Sequence, residues 1–212
     1  MKSYQSWAIF VVLTIIPPSF SDNTDSTFLL GDEFRKDPSP QKQLVVYVVD
    51  NLSSISREYL DSSVKICHQV LNEDALLANG TSEVVEFKDN LKKFLQKYDV
   101  SDRNVETNFN LIGELAIILE KYFKMSEDNM TPVSKIILNI LNEYRSDFEN
   151  INNESVRKYT LLVDGFSDMF AQSKDHMGAQ ALVWFEKFKS FSKFSDRFRA
   201  LLDYIVEIRI NS

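Results

Sequence analysis

The side chains that most often perform chemistry are few in this chain. It contains two histidines, His68 and His176, and one cysteine, Cys67. Cys67 and His68 are neighbours, but neighbouring side chains on a helix point about 100° apart, so they cannot act as a nucleophile and its base. No H-E-x-x-H, E-x-x-H or paired-cysteine spacing is present. We therefore expect no zinc site, no di-iron site and no cofactor.

Aspartate and glutamate residues are plentiful, but their positions are those of solvent-exposed surface residues and not of a catalytic site. Acidic residues lie beside lysines on the polar faces of predicted helices, for example in segments 86–88 and 186–187, and this is typical of solvated surfaces. The acidic segment 126–129 lacks the spaced oxygen ligands and the glycine of a calcium loop. No nucleophile-elbow, phosphate-loop or dinucleotide-binding motif occurs. The sequence therefore predicts a protein without catalytic residues, and not an enzyme.

Aromatic residues are concentrated near the C-terminus. Segment 184–198 reads WFEKFKSFSKFSDRF, and its candidate apolar face consists of Trp184, Phe185, Phe188, Phe191, Phe194 and Phe198. On a continuous helix, all of these except Phe185 fit within an arc of about 140°, and Phe185 falls near the polar margin. Two interpretations are open: this face packs against the protein core, or it is exposed to bind a lipid or a partner.

The elements that position these residues are predicted to be helices. From residue 43 onward, apolar residues recur at intervals of three and four, which is the helical period. The predicted segments are 43–78, 84–98, 105–123, 132–148, 156–170 and 179–208. The first segment is either one helix or two helices with a break near Ser53. Thr131 and Pro132 mark the start of the fourth segment. Residues 150–153 are predicted to interrupt the chain before the fifth segment. The predicted fold is all-α: a single bundle of about five to seven amphipathic helices.

The single cysteine predicts a fold without a disulfide framework, because secreted folds that depend on disulfides contain several paired cysteines. Cys67 lies among the apolar positions of its segment. It is interpreted as a buried thiol that packs as a small apolar side chain. The alternative is an intermolecular disulfide through Cys67 that links two copies into a dimer.

The N-terminus is typical of a secretory signal peptide. Lys2 precedes the apolar run Trp7–Ile16, and Ser19 and Ser21 supply the small residues before the expected cleavage site. Ten apolar residues rise only about 15 Å as a helix, which is half of a bilayer core. We therefore predict a signal peptide at 1–21, a flexible polar leader at 22–42, a helical bundle domain at 43–212, and no integral membrane span. The predicted location is secreted and extracellular.

Four N-x-S/T sequences predict N-glycosylation, at Asn51, Asn79, Asn129 and Asn153. The last three fall in predicted loops, where a bulky glycan can be accommodated. Pro132 directly follows the acceptor threonine of the Asn129 site and is expected to hinder modification there.

Charge and the lack of catalytic motifs leave two classes of function. The net charge of −7 argues against binding to nucleic acid or to anionic lipid. The first class is a secreted helical protein that binds an extracellular protein partner without catalysis. The second is an extracellular carrier of a hydrophobic small molecule or lipid between aromatic-rich helices. An enclosed space among Phe185, Phe188, Phe191 and Phe194 would favour the carrier, and interlocking rings would favour the binding protein.

Overall fold

The computed structural model describes residues 28–210, with side chains as far as residue 208, and this part of the chain is helical without a β-strand. Its helices are α1 (Asp32–Lys36), α2 (Pro40–Leu71), α3 (Asp74–Leu77), α4 (Ser82–Val100), α5 (Val105–Phe123), α6 (Pro132–Glu143), α7 (Arg145–Gln172), α8 (Ala179–Ser190) and α9 (Phe194–Ile210). Single 3₁₀ turns cover Glu127–Asn129 and Lys174–His176. The predicted all-α class is confirmed. The described residues form nine helices where five to seven were predicted, and α1 and α3 are only 5 and 4 residues long.

The two longest described helices, α2 and α7, pack against each other in antiparallel orientation, and most of the other described helices contact one or both of them. Two contacts between them show the register, namely Lys158 with Glu58 and Gly165 with Tyr47, and Tyr144 just before α7 also bonds to Glu73 just after α2. Along α7 the residue numbers rise while their partners on α2 fall, as antiparallel packing requires. All the other described helices of more than five residues pack around this pair.

The remaining helices cover different halves of the central pair. Helices α4, α5 and α6 cover the half that contains the C-terminal end of α2, and Asn108 of α5 donates from Nδ2 to Ser56 Oγ at 3.1 Å. Helices α8 and α9 cover the other half, where α9 contacts both α2 and α7. The buried residues of both halves belong to one continuous hydrophobic core. Full burial of each large apolar side chain stabilises the fold by about 1.5–3 kcal/mol before the entropy cost of ordering the chain.

Side chains cap the starts of α5 and α6. Asn104 Oδ1 accepts from the Thr107 amide at 2.8 Å at the start of α5. Thr131 Oγ1 accepts from the Ser134 amide at 2.9 Å at the start of α6, where Pro132 takes the first helical position. These bonds satisfy amides that have no partner inside the helix. The start of α6 predicted from Thr131 and Pro132 is confirmed.

The first long helix is continuous through Ser53. Helix α2 runs unbroken from Pro40 to Leu71, so of the two alternatives the single helix is correct, and it ends seven residues before the predicted boundary at 78. Ser56 Oγ donates to Ser53 O at 3.2 Å, which satisfies the hydroxyl inside the helix. Leu52 and Ile55 are buried on either side of the serine pair, so packing outweighs the weak helix preference of serine.

The predicted interruption at 150–153 is wrong. Helix α7 passes through these residues, and the break between α6 and α7 lies at Tyr144 instead. Phe148, Asn152 and Ser155 are all buried at the helical spacing of four and three residues, so this stretch of α7 has a face in the core. The asparagines at 150, 152 and 153 cost only tenths of a kcal/mol each in helix propensity, which that packing overcomes.

The predicted leader is partly structured. Residues 1–27, which include the predicted signal peptide and the start of the leader, lie outside the described residues. Between 28 and 42, Phe28 is 5% exposed, α1 covers Asp32–Lys36, and α2 already begins at Pro40. Arg35 Nη1 donates to Asp50 Oδ1 at 2.8 Å. This part of the chain is therefore partly helical and contacts α2, whereas an extended backbone was expected; its flexibility stays a prediction.

Candidate functional site

The predicted aromatic face is largely part of the core. Phe185, Phe188 and Phe198 are 2%, 0% and 1% exposed, whereas Trp184, Phe191 and Phe194 are half-buried. Rings from α7 and α9 join those of α8 in an aromatic cluster, defined here as Phe166, Phe170, Trp184, Phe185, Phe188 and Tyr204.

The rings of the aromatic cluster interlock. Phe170 stacks on Phe185 with ring centroids 4.1 Å apart, and Trp184 stacks on Tyr204 at the same distance. Phe188 meets Phe166 edge-to-face at 5.7 Å. Such pairs contribute about 0.5–1.5 kcal/mol each beyond the area they bury. At these separations the rings fill the space between α7, α8 and α9, and this favours the core interpretation of the predicted face.

Phe185 is the residue whose predicted position is wrong. It was expected near the polar margin of one continuous helix from 179 to 208. The chain instead leaves helical geometry at Phe191 (φ −69°, ψ 123°), so that α8 and α9 are separate helices. The buried face of α8 is then Ala181, Phe185 and Phe188, at the helical spacing of four and three residues. The 140° arc predicted for one continuous helix therefore does not describe the buried face of α8.

A second surface was not predicted and lies between α4 and α5. A groove with a volume of about 590 Å³ runs along the outer side of these two helices. Val100 is 85% exposed and Ile117 is 74% exposed, and both line the groove. An adjoining depression of about 270 Å³ shares Lys97, Val100 and Glu114 with it. We call this surface the α4–α5 groove.

The end of the groove is held in place by contacts to α2. Arg103, in the loop after α4, forms an ion pair with Asp61, and its guanidinium lies 4.5 Å from the centre of the Tyr98 ring. Tyr98 donates to Asp61 Oδ1 at 2.7 Å. Burial and this hydrogen bond raise the pKa of Tyr98. Arg103 adopts a φ of 59°, a conformation that costs roughly 1–2 kcal/mol for a residue with a Cβ and is retained here by its contacts.

No protein-family model, curated protein or solved structure matches the chain. Among the described residues, no three histidine, cysteine or carboxylate side chains are grouped so that they could hold a metal ion. Both histidines, His68 and His176, are exposed and separate from the groove.

The predicted glycosylation sites differ in their surroundings. Asn79 lies in the loop between α3 and α4, and Asn129 is exposed in the turn before α6. Asn153 is exposed but lies inside α7, so the expectation that it occupies a loop is wrong. Asn51 is half-buried within α2, and its Nδ2 atom, to which a glycan would be attached, donates to Tyr47 O at 2.8 Å.

Two of these sites lie near the same end of helix α4. Thr131 Oγ1 donates to Glu83 Oε2 at 2.9 Å, which joins the start of α6 to the start of α4. Asn129 and Asn79 therefore both lie near the N-terminal end of α4. Val100 is the last residue of that helix, about 27 Å along its axis from the first. Glycans at these two positions would be attached near the end of α4 that is opposite Val100.

Cys67 is inaccessible in the folded protein. It is 1% exposed, so its sulfur cannot reach a second copy of the chain, and the alternative of a dimer linked through Cys67 conflicts with the structure. Burial raises the pKa of the Cys67 thiol to about 12. The structure therefore favours the interpretation of a buried thiol that packs in the core.

The Cys67 thiol is expected to make stability depend on pH in the alkaline range. Above the ordinary thiol pKa of 9.0, the unfolded chain loses this proton while the folded chain keeps it. The group therefore lowers the free energy of unfolding by about 1.4 kcal/mol per pH unit up to its folded pKa. In urea unfolding at pH 8.5, 9.5 and 10, the free energy of unfolding should fall less steeply with pH for Cys67→Ala than for the unchanged protein. Equal pH dependence in the two proteins would contradict the burial of Cys67.

Proposed function

We propose that this chain is a secreted, N-glycosylated helical protein that acts by binding an extracellular protein partner without catalysis. The observation that carries the proposal is the α4–α5 groove, where Val100 and Ile117 are 85% and 74% exposed. A helix normally buries its apolar residues against the core, and a contiguous exposed group of them is typical of an interaction site. Support for secretion comes from the N-terminal sequence, with Lys2 before the apolar run Trp7–Ile16.

The alternative function, carriage of a hydrophobic small molecule or lipid, has less support. A carrier of this kind needs space between its aromatic helices, since ligand sites usually enclose most of the ligand surface. The aromatic cluster is instead packed with centroid separations as short as 4.1 Å. The α4–α5 groove contains one aromatic ring, Phe94, and that ring is 1% exposed. Ring packing therefore favours protein binding over carriage.

A recovery experiment separates the two functions. The tagged protein is secreted from cultured animal cells, cross-linked in extracellular fluid and recovered, and a parallel sample is extracted with organic solvent for mass spectrometry. We expect a protein partner whose recovery saturates with dose, together with a solvent extract free of lipid. Repeated recovery of one lipid species, with no saturable protein partner, would overturn the proposal in favour of the carrier.

Glycosylation is expected at the loop site Asn79 and not at Asn51. The reason is that Asn79 lies outside the helices, whereas Asn51 Nδ2 is engaged inside α2. Mass spectrometry of the secreted protein, before and after peptide N-glycosidase treatment, should show that Asn79→Gln and Thr81→Ala each remove one and the same glycan. Asn51→Gln is the control and should leave the glycan mass unchanged. A glycan lost in Asn51→Gln but retained in Asn79→Gln would contradict this assignment.

A further inference from the structure

The α4–α5 groove combines an apolar floor with a basic rim. Phe94 and Leu111 lie beneath it and are 1% and 4% exposed, while Val100 and Ile117 stand at its edges. Ile118 is half-buried and extends the apolar surface along α5. An occupant that covers these side chains must itself be apolar on the side that faces the groove.

The rim carries one lysine without a partner. Lys97 Nζ forms an ion pair with Glu114 Oε1 at 2.7 Å across the groove. Lys93 also lines the groove and is exposed, but in the part of the chain that the structure describes no carboxylate lies within ion-pair distance of it. The chain as a whole has a net charge of −7, so a positive rim is a local exception. Such a rim favours an occupant with a carboxylate near its apolar side.

The shape of the groove fits a helix. Helices α4 and α5 are antiparallel, because Lys97 pairs with Glu114 while Lys121 pairs with Glu86, each at 2.7 Å. A third helix can lie in the channel between two such helices with its side chains between theirs. The α4 residues that line the groove span 90–100, which is about 15 Å or nearly three helical turns.

We propose that the α4–α5 groove binds an amphipathic helix of an extracellular protein partner, whose apolar side covers Val100 and Ile117 and whose carboxylate pairs with Lys93. This inference rests on the proposed binding function and adds the chemistry of the partner segment. An alkyl chain fits less well, because the groove is open along its length and would leave one side of the chain in water. A second copy of this protein fits less well, because both copies would carry the same net charge of −7.

The test uses two synthetic helical peptides of about 14 residues, with leucines spaced three and four residues apart. One carries glutamates beside the leucines and the other carries lysines at the same positions. Amide chemical shifts of ¹⁵N-labelled protein are followed during each titration. The acidic peptide should saturate shifts within 90–100 and 107–118, and the basic peptide should bind at least about threefold more weakly.

Variants identify the contacts. Val100→Asp and Ile117→Asp should each lower the affinity for the acidic peptide by about tenfold or more, since each places a charge against an apolar surface. Val183→Asp is the matched control, because Val183 is 73% exposed and lies on α8, away from the groove; it should leave affinity unchanged. Lys93→Glu should reverse the preference, so that the basic peptide binds more tightly than the acidic one.

Several results would overturn the inference. Peptide affinity that is unchanged in Val100→Asp and Ile117→Asp, or shifts located on other helices, would place the site elsewhere. If dodecanoate changes the chemical shifts of the groove amides and displaces the acidic peptide, the occupant is a small amphipathic anion instead of a helix. Sedimentation that shows a dimer, lost in Val100→Asp, would identify a second copy. If an extracellular partner binds Val100→Asp as tightly as it binds the unchanged protein, the groove is not the binding site, although the proposed binding function still holds. Recovery of no partner at all would refute the binding function itself.

Discussion

Replacement of Phe188 by alanine is expected to lower the free energy of unfolding by about 3–5 kcal/mol, as is usual for truncating a fully buried aromatic ring. Phe188 is 0% exposed, and its ring centroid lies 5.1 Å from that of Trp184 and 5.7 Å from that of Phe166. Truncation removes contacts with both neighbours and leaves a cavity between α7 and α8. Urea unfolding followed by circular dichroism measures the loss.

Phe191→Ala is the matched control for this prediction. Phe191 belongs to the same predicted face, but it is half-buried and lies at the end of α8, so its truncation should cost less than half as much. Phe188→Leu, which keeps most of the buried volume, should cost about 1.5 kcal/mol or less, and it provides a measurable variant if Phe188→Ala does not fold. Similar small losses for Phe188→Ala and Phe191→Ala would show that the face is exposed, contrary to the structure.

Asn108→Asp is expected to lower the free energy of unfolding by about 3 kcal/mol at pH 7, although it hardly changes the shape of the side chain. Asn108 is 0% exposed, and its Nδ2 group donates to Ser56 Oγ and to Arg103 O. An aspartate there would lose both donors and bury a carboxylate among acceptors, which is costly unless the carboxylate is paired. The guanidinium of Arg103 is already paired with Asp61.

The cost of Asn108→Asp should shrink as the pH falls. Burial favours the neutral acid in the folded state, so the penalty is present above the ordinary aspartate pKa of about 3.9 and decreases when the pH approaches that value. Asn110→Asp makes the same chemical change on the same helix at an exposed position, and it should alter stability by less than about 0.5 kcal/mol. Equal effects of the two substitutions at pH 7 would contradict the burial of Asn108.

The helical class and several helix positions could be predicted because each of these helices has one buried face. Helix α5 is the clearest case. Its predicted range, 105–123, agrees with the structure, and the apolar residues that define its period are all buried: Val105, Phe109, Ile112, Leu115, Leu119, Tyr122 and Phe123. Where apolar spacing and burial coincide in this way, the helical period alone locates the helix.

Two predictions about helix breaks were wrong, for opposite reasons: one predicted break is absent, and one break in the structure was not predicted. Asparagines at 150, 152 and 153 suggested a break, but contacts of Asn152 and its buried neighbours with the core keep α7 continuous, and such contacts are not visible in local sequence. The break after Ser190 has no proline or glycine to mark it. Phenylalanines spaced by three continue across it, so the period gives no sign that α8 and α9 are separate.

The α4–α5 groove left a weak signal in the sequence. After the core face of α5 has been assigned, Ile117 and Ile118 remain as apolar residues outside it, and Val100 remains in the same way on α4. Apolar residues left over on two helices indicate a surface only if those helices are neighbours. That condition depends on the pairing of α4 with α5 in three dimensions. In segment 184–198, which has the stronger aromatic pattern, Phe185, Phe188 and Phe198 are buried in the core.

The fluorescence of Trp184 during titration with dodecanoate tests the central claim, that the aromatic cluster is a closed core and binding occurs elsewhere. In a chain that begins at Asp22, Trp184 is the only tryptophan, and its ring stacks on Tyr204 at 4.1 Å. We predict that dodecanoate leaves the emission maximum and intensity of Trp184 unchanged. A saturable shift or quenching of that emission would show that a hydrophobic ligand enters between the aromatic rings, and it would contradict the account.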